Sequence, residues 1–221
     1  MSHSNPRLPQ FLHDKFAKCK VIANIQLIIR GLTENSVVAI CGPSCSGKSS
    51  LAAYLSQHES CDTLSMDAFF KPIPDIPEHL TGIPAFDSID AIDIDLLLKS
   101  ITRIKSGQSV HVPVYHYSRT TVGRDQSVQE LFKARKVTLL DGTLSSHPRL
   151  QYIIDYTIYV DRDAVSRRRT RLQRDIAERG VNLARATELY DRMTVPLFAI
   201  HGEPQKARAE LIYTNDGPED Y

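Results

Sequence analysis

One stretch decides the fold: Val37-Val38-Ala39-Ile40-Cys41-Gly42-Pro43-Ser44-Cys45-Ser46-Gly47-Lys48-Ser49-Ser50. Its first five residues form a short, unbroken apolar run, which suits a strand covered on both faces. Residues 42–49 then spell G-x-x-x-x-G-K-S in full. Glycines there let the backbone curl closely enough for amide N–H groups to point at phosphate oxygens, and the dipole of a following helix adds to the attraction. The spacing assigns Gly42, Ser44, Cys45, Ser46, Gly47, Lys48, Ser49 and Ser50 to a nucleotide's phosphates. Lys48 would reach the β- and γ-phosphates, and the Ser49 hydroxyl would ligate Mg²⁺. Chance yields the pattern in about one chain per hundred of this length. The strand before it and the helical spacing after it are the context its chemistry needs.

Outward from the loop, further apolar runs at 63–66, 137–140, 156–160 and 211–213 read as strands. Helical spacing recurs over 11–29, 49–57 and 92–104, and Asp161 or Asp163 can cap a helix that runs to Gly180. Four prolines in residues 71–84 exclude regular helix and predict an ordered loop. Strands alternating with helices give an α/β fold with a mostly parallel sheet. Two carboxylates then stand out. Asp67 follows the run 63–66, and Asp141 follows the run 137–140. In an open parallel sheet, ligands gather beyond the carboxyl ends of the strands, where the phosphate loop also lies. One carboxylate can take a proton from an acceptor hydroxyl while the other holds Mg²⁺ or its waters. Each could equally cap the helix after its strand.

Composition removes several classes of function. The 221 residues are 42% hydrophobic and 24% charged, a soluble globular mix. Lys and Arg total 27 against 26 Asp and Glu, a net charge of +1, so the basic excess of a nucleic-acid-coating protein is absent. No apolar run approaches the ~18 residues of a membrane span. No signal peptide is legible, and four cysteines are too few for a disulfide scaffold. The expectation is a cytoplasmic protein whose partner is a small molecule, neither nucleic acid nor membrane, with a homo-oligomer left open. The eight histidines show no metal-ligand spacing.

Later motifs occur in a fixed order: Ser65-Met66-Asp67-Ala68-Phe69-Phe70-Lys71-Pro72, Pro84-Ala85-Phe86-Asp87, Val112-Pro113-Val114-Tyr115-His116-Tyr117, Arg171-Leu172-Gln173-Arg174-Asp175-Ile176-Ala177-Glu178-Arg179-Gly180, and Pro204-Gln205-Lys206. Together with the loop they resemble the uridine kinase branch of the uridine kinase/phosphoribulokinase family, which is related to nicotinamide riboside kinase. The resemblance covers roughly residues 36–215. It leaves 1–35 as an N-terminal helical extension and 216–221 as a tail. It implies the three-layer P-loop fold with a mostly parallel five-stranded sheet and an arginine-bearing lid helix. It also implies ATP and Mg²⁺ as cofactors, Asp67 as base toward a primary hydroxyl, and Asp87 as a clamp on ribose hydroxyls. Tyr115 and Tyr117 are implied as contacts to the base. The family usually carries Glu-Gly where this chain has Asp141-Gly142, a shorter carboxylate for Mg²⁺.

At ~100° per residue, Val165, Leu172 and Ile176 share one stripe of the helix near the arginines, and Arg167, Arg171 and Arg174 share the opposite side. The stripe is expected to pack. By the resemblance, Arg171 and Arg174 close over the transferring phosphates, since guanidinium forks suit phosphoryl oxygens. Arg168 and Arg169 read as solvated. The family's histidine, arginine and glutamine near the nucleoside fall here on Thr120, Val181 and Leu189. The expected function is ATP-dependent phosphorylation of a primary hydroxyl on a nucleoside or related riboside. Its rivals are a kinase for a non-nucleoside such as pantothenate or a sugar phosphate, and an ATP-binding regulatory or sensing module with slow hydrolysis.

Overall fold

The computed structural model describes residues 8–80, 83–117 and 122–216, with backbone alone at 80, 115–117 and 122–127. Helices α1 (Gln10–Lys18) and α2 (Lys20–Gly31) open the chain, separated by extended backbone at Cys19. Strand β1 (Ser36–Cys41) leads through the phosphate loop into α3 (Lys48–His58) and then β2 (Cys61–Ser65). A 3-10 turn, Met66–Phe69, follows at once. The proline-rich segment is ordered and carries a short antiparallel pair, β3 (Glu78–Leu80) with β4 (Ile83–Pro84). Helix α4 (Ile94–Lys105) starts where the Asp93 side chain accepts from the Leu96 amide. An antiparallel hairpin, β5 (Val110–Tyr117) and β6 (Val122–Phe132), precedes β7 (Val137–Asp141) and β8 (Tyr156–Asp161). Helix α5 (Ala164–Ala177), α6 (Leu183–Leu189), a π-turn at Tyr190–Thr194, α7 (Val195–His201) and β9 (Leu211–Thr214) complete it.

The sheet is five-stranded and parallel in the order β2-β7-β1-β8-β9, so the five strands expected from the sequence are the five that form it. Central β1 is buried along its whole length. Because successive side chains alternate, Val37 joins the core under α4 and the hairpin, while Val38 and Ile40 join the core under α1, α2 and α3. Both faces are thus covered by helices, the condition a parallel sheet requires.

Three local readings are revised. The strand expected at 63–66 ends one residue earlier, so Asp67 sits inside the 3-10 turn and not directly after a strand. The hairpin partner β6 was not legible, because its middle carries Gly123, Arg124, Asp125, Gln126 and Ser127 with no apolar alternation. On α5, Leu172 is 9% exposed but Val165 is 80% and Ile176 41%, so the expected stripe does not pack as a unit. The physical reason is the partner: α5 rests on α6 and the π-turn through Leu172, Ala186 and Tyr190, a contact only one of its apolar residues wide, and Val165 and Ile176 face solvent.

Candidate functional site

The site lies beyond the carboxyl ends of β1, β2 and β7. Ser65 pairs with Asp141, and Asp141 pairs with Ile40, so the three strands end level. From β1 the loop departs with Cys45 and Gly47 in left-handed backbone, at φ 63° and 101°. A Cβ on Gly47 would lie 2.4 Å from Asn215 Nδ2, so no larger residue fits there without displacing Asn215. Lys48 Nζ donates to the Pro43 carbonyl at 2.8 Å and folds the loop back on itself. Two outside residues hold the loop's own carbonyls: Arg162 Nη1 donates to Cys45 O at 3.3 Å, and Asn215 Nδ2 to Ser46 O at 2.8 Å.

Lys48 is buried, and loss of water pulls its pKa down against the nearby charges of Asp141 and Asp67. Asp141 is buried at the end of β7; burial raises its carboxyl pKa, and Lys48 and a hydrogen bond from Ser49 work the other way. Among the described residues its Oδ1 has no hydrogen-bond partner. The next residue, Gly142, lets β7's exit pass close to the Met66 turn, because a Cβ there would meet Met66 Cβ at 2.5 Å. That approach brings Asp67 toward Asp141. Although Asp67 opens onto the cleft, reduced hydration and then the Asp141 charge raise its pKa, with Lys48, Arg174 and Arg179 opposing.

Helix α5 closes the cleft from the other side, started by Asp163, whose side chain accepts from the Ser166 amide. Arg171 Nη1 and Arg174 Nη2 converge on one hydroxyl, Ser44 Oγ, at 3.1 and 3.4 Å. Desolvation acts against the Arg171 charge, but Asp87 and Asp175 outweigh it and hold the guanidinium's pKa up. Asp175 is buried between two arginines, accepting from Arg171 Nε at 2.7 Å and Arg179 Nη1 at 2.8 Å. Arg174 is partly dehydrated, which lowers its pKa, and its Nε is buried without a hydrogen-bond partner among the described residues. Two cations and a lysine converging on neutral oxygens form a preorganised place for an anion. Arg168, by contrast, pairs with Asp191 at the surface.

A cavity of about 980 Å³ joins these groups. Ser44, Cys45, Gly47, Lys48, Ser49, Ser50, Asp67, Asp87, Asp141, Arg171 and Arg174 all line it, while Gly42 and Ser46 are buried in the loop and do not. Asp87 is held by Thr194, whose Oγ1 donates to Asp87 Oδ2 at 2.9 Å. Beyond Asp87 the wall turns apolar, with Phe70, Ile83, Phe86, Val181, Leu189 and Met193. Tyr115 and Tyr117 lie on β5, opposite Arg124 and Val122, and that strand packs beside the turn carrying Asp67. Their side chains, and all of Thr120, fall outside the described residues.

With this geometry set out, similarity to known proteins decides the family. Residues 37–219 match the Phosphoribulokinase / Uridine kinase family. The chain belongs to that family. It is 32% identical to the uridine kinase of Chloroflexus aurantiacus over 185 residues, which span 82% of this chain and 87% of that one. It is 32% identical to the uridine kinase of Pasteurella multocida over 190 residues, covering 82% and 86%. The phosphoribulokinase of Rhodobacter spheroides shares the fold with a TM-score of 0.59 and 14% identity, over 84% of this chain and 72% of its own. The protein is therefore a P-loop kinase that phosphorylates a small-molecule hydroxyl. As in its family, ATP is the nucleotide to expect in the loop. No helix among the described residues is long and apolar enough to cross a membrane.

Sequence reasoning missed three members of the site. Gln205 is fully buried, accepting from Ser146 N at 2.9 Å and donating to Thr143 O at 2.9 Å, and so braces the loop after Asp141. Asp175 and Asn215 were the others. Gln205 had a signal in Pro204-Gln205-Lys206, and Asp175 in its i,i+4 spacing to Arg171 and Arg179, whereas Asn215 acts through contacts that no local pattern encodes.

Proposed function

We propose that the protein transfers the γ-phosphoryl group of ATP to the primary hydroxyl of a riboside. The observation that carries this reading is a single cavity lined by Lys48, Arg171, Arg174, Asp67 and Asp87 together. The acceptor's ribose hydroxyls bind Asp87, held by Thr194, and the 5′-hydroxyl then faces Asp67. Asp67 takes the proton as the hydroxyl oxygen attacks, and the arginines and Lys48 hold the charge that spreads over the phosphoryl oxygens. Asp141 and Ser49 fit Mg²⁺: both offer hard oxygen donors, and Asp141 Oδ1 is buried with no hydrogen-bond partner among the described residues. The ion, when bound, neutralises phosphate charge and orients the phosphates. Closing α5 over the cleft excludes water, so that ATP is not hydrolysed in place of transfer.

Base selection is broad on this reading, because Val181 and Leu189 line the cavity where a donor or acceptor would read the edge of the ring. Each absent polar contact costs discrimination of about 1–3 kcal/mol, or one to two powers of ten. The test measures ATP consumption with uridine, cytidine, a purine riboside, nicotinamide riboside, pantothenate and a sugar phosphate, identifying the products by mass. Monophosphates of several ribosides are expected, with kcat/KM values within about a hundredfold of one another. Phosphorylation of pantothenate or the sugar phosphate alone would sink the riboside assignment, and steady hydrolysis with no acceptor used would favour a sensor.

A further inference from the structure

We infer that Lys15, on the first helix, positions the phosphate loop by fixing the side-chain amide of Asn215. The inference rests on the reading of the loop as a nucleotide site, but the residue lies outside it. The family match begins at residue 37, so α1 lies outside the matched residues.

The chain of contacts is short. Lys15 Nζ donates to Asn215 Oδ1 at 2.5 Å, and Asn215 Nδ2 donates to Ser46 O at 2.8 Å. Asn215 is buried just past β9, and its backbone N–H donates to Asp161 O at 2.8 Å, so its main chain is pinned. An ammonium only donates and a carbonyl only accepts, so both neighbours demand the same orientation of the Asn215 amide. Without Lys15 the Ser46 carbonyl alone holds the amide in that orientation, and the Asn215 oxygen loses its donor.

What the loop gains is a fixed peptide. In a trans peptide the C=O and the next N–H point in opposite directions. Holding Ser46 O from outside therefore aims the Gly47 N–H the other way. Gly47 is the residue whose missing Cβ admits Asn215. An amide aimed before the ligand arrives loses less entropy on binding than one that must be ordered by it.

Helix α1 is rigidly placed for this work. Leu12 and Phe16 are buried, the Phe16 ring meets Tyr54 edge-on at 5.2 Å, and His13 Nε2 lies 2.8 Å from His58 Nε2. Tyr54 and His58 belong to α3, the helix that starts at Lys48, so α1 rides on the same element as the loop. Around Lys15, burial and Arg162 lower its pKa and Asp216 raises it. The Asn215 oxygen accepts a hydrogen bond from this crowded, part-dehydrated ammonium.

The test titrates ATP into the full-length chain and measures KM for ATP and for the acceptor. Lys15→Met should weaken ATP binding about tenfold, equivalent to about 1.4 kcal/mol, and leave the acceptor KM within twofold. Lys18→Met, an exposed lysine on the same helix, should match wild type. Lys15→Arg should recover most of the affinity, since it restores a donor. In an Asn215→Ala background, Lys15→Met should add less than twofold. Unchanged ATP affinity in Lys15→Met, or full additivity with Asn215→Ala, overturns the inference. Should Lys15→Met fail to fold, Asn215→Asp decides: it keeps the pairing with Lys15 but puts a carboxylate at the Ser46 carbonyl, and normal ATP affinity there overturns the inference. A wild-type chain that binds no ATP overturns the nucleotide reading itself, and the inference with it.

Discussion

Two carboxylates and one lysine share the end of the sheet, and their charges set what each can do. Burial disfavours ionisation of Asp141, and the Asp141 charge in turn raises the pKa of Asp67. A base with a raised pKa holds a proton more readily, as an in-line transfer asks of it. Asp67→Asn should lower kcat about 10²–10⁴-fold while ATP affinity stays within a few-fold; near-normal turnover in a purified variant would remove Asp67 from the mechanism. The same substitution makes a stability prediction of definite sign. The folded pKa lies above the unfolded one, so the carboxyl's favourable contribution is complete below the unfolded value and is lost as pH rises through the folded value. At neutral pH, Asp67→Asn should therefore melt no lower than wild type. The difference between the two should close as pH falls through the carboxylate range. Melting curves from pH 4 to 8 check it, and a neutral-pH Tm well below wild type would contradict it.

Helix α5 works with one face in the cleft and almost nothing beneath it. Val165 at 80% exposure touches little, so Val165→Ser should change stability by less than about 0.5 kcal/mol. Leu172→Ala, which empties the contact with Ala186 and Tyr190, should cost about 2–3 kcal/mol. Equal effects of the two in urea titrations would mean that the helix packs by its whole apolar stripe after all. The arginines depend on Asp175 more than on packing. With its side chain 5% exposed, Asp175 fixes both Arg171 and Arg179. Removing Asp175 takes away the anion that these two half-buried cations share, at about 3 kcal/mol. Asp175→Asn should thus lower stability and, by loosening Arg171, lower kcat by about tenfold. A fall in Tm without any fall in kcat would show that Arg171 needs no such guide.

Across the whole molecule, one core is shared between the first helices and the kinase sheet. Phe16, Ile22, Ile25 and Ile29 are buried against Val38, Ile40, Leu51 and Val160. Four such side chains contribute about 1.5–3 kcal/mol each, a total comparable with the entire ~5–15 kcal/mol net stability of a domain. A chain begun at residue 36 should therefore be insoluble or unfolded, and Ile25→Ala alone should cost about 3 kcal/mol. A soluble, cooperatively melting truncation would show instead that the helices are dispensable to the core. Such a truncation would also lack Lys15, so its ATP affinity would report on the loop independently.

The phosphate loop, the five sheet strands and the order of the acidic residues were legible because each is encoded by neighbours in the chain. Glycines at fixed spacing demand one backbone path, and the apolar run 37–41 can only be an element covered on both sides. The periodic residues of α1 and α2 were legible too: Leu12, Phe16, Ile22, Ile25 and Ile29 are buried. The hairpin strand β6 escaped because its polar middle carries no alternation, and the α5 stripe misled because periodicity shows which residues share a face and not what that face meets. Tertiary structure alone decided the rest. Arg171 meets Ser44 across 127 residues, Asp87 meets Thr194 across 107, and Lys15 meets Asn215 across 200. No local preference selects such pairs; they follow from which faces of the sheet the helices cover and where the strands end.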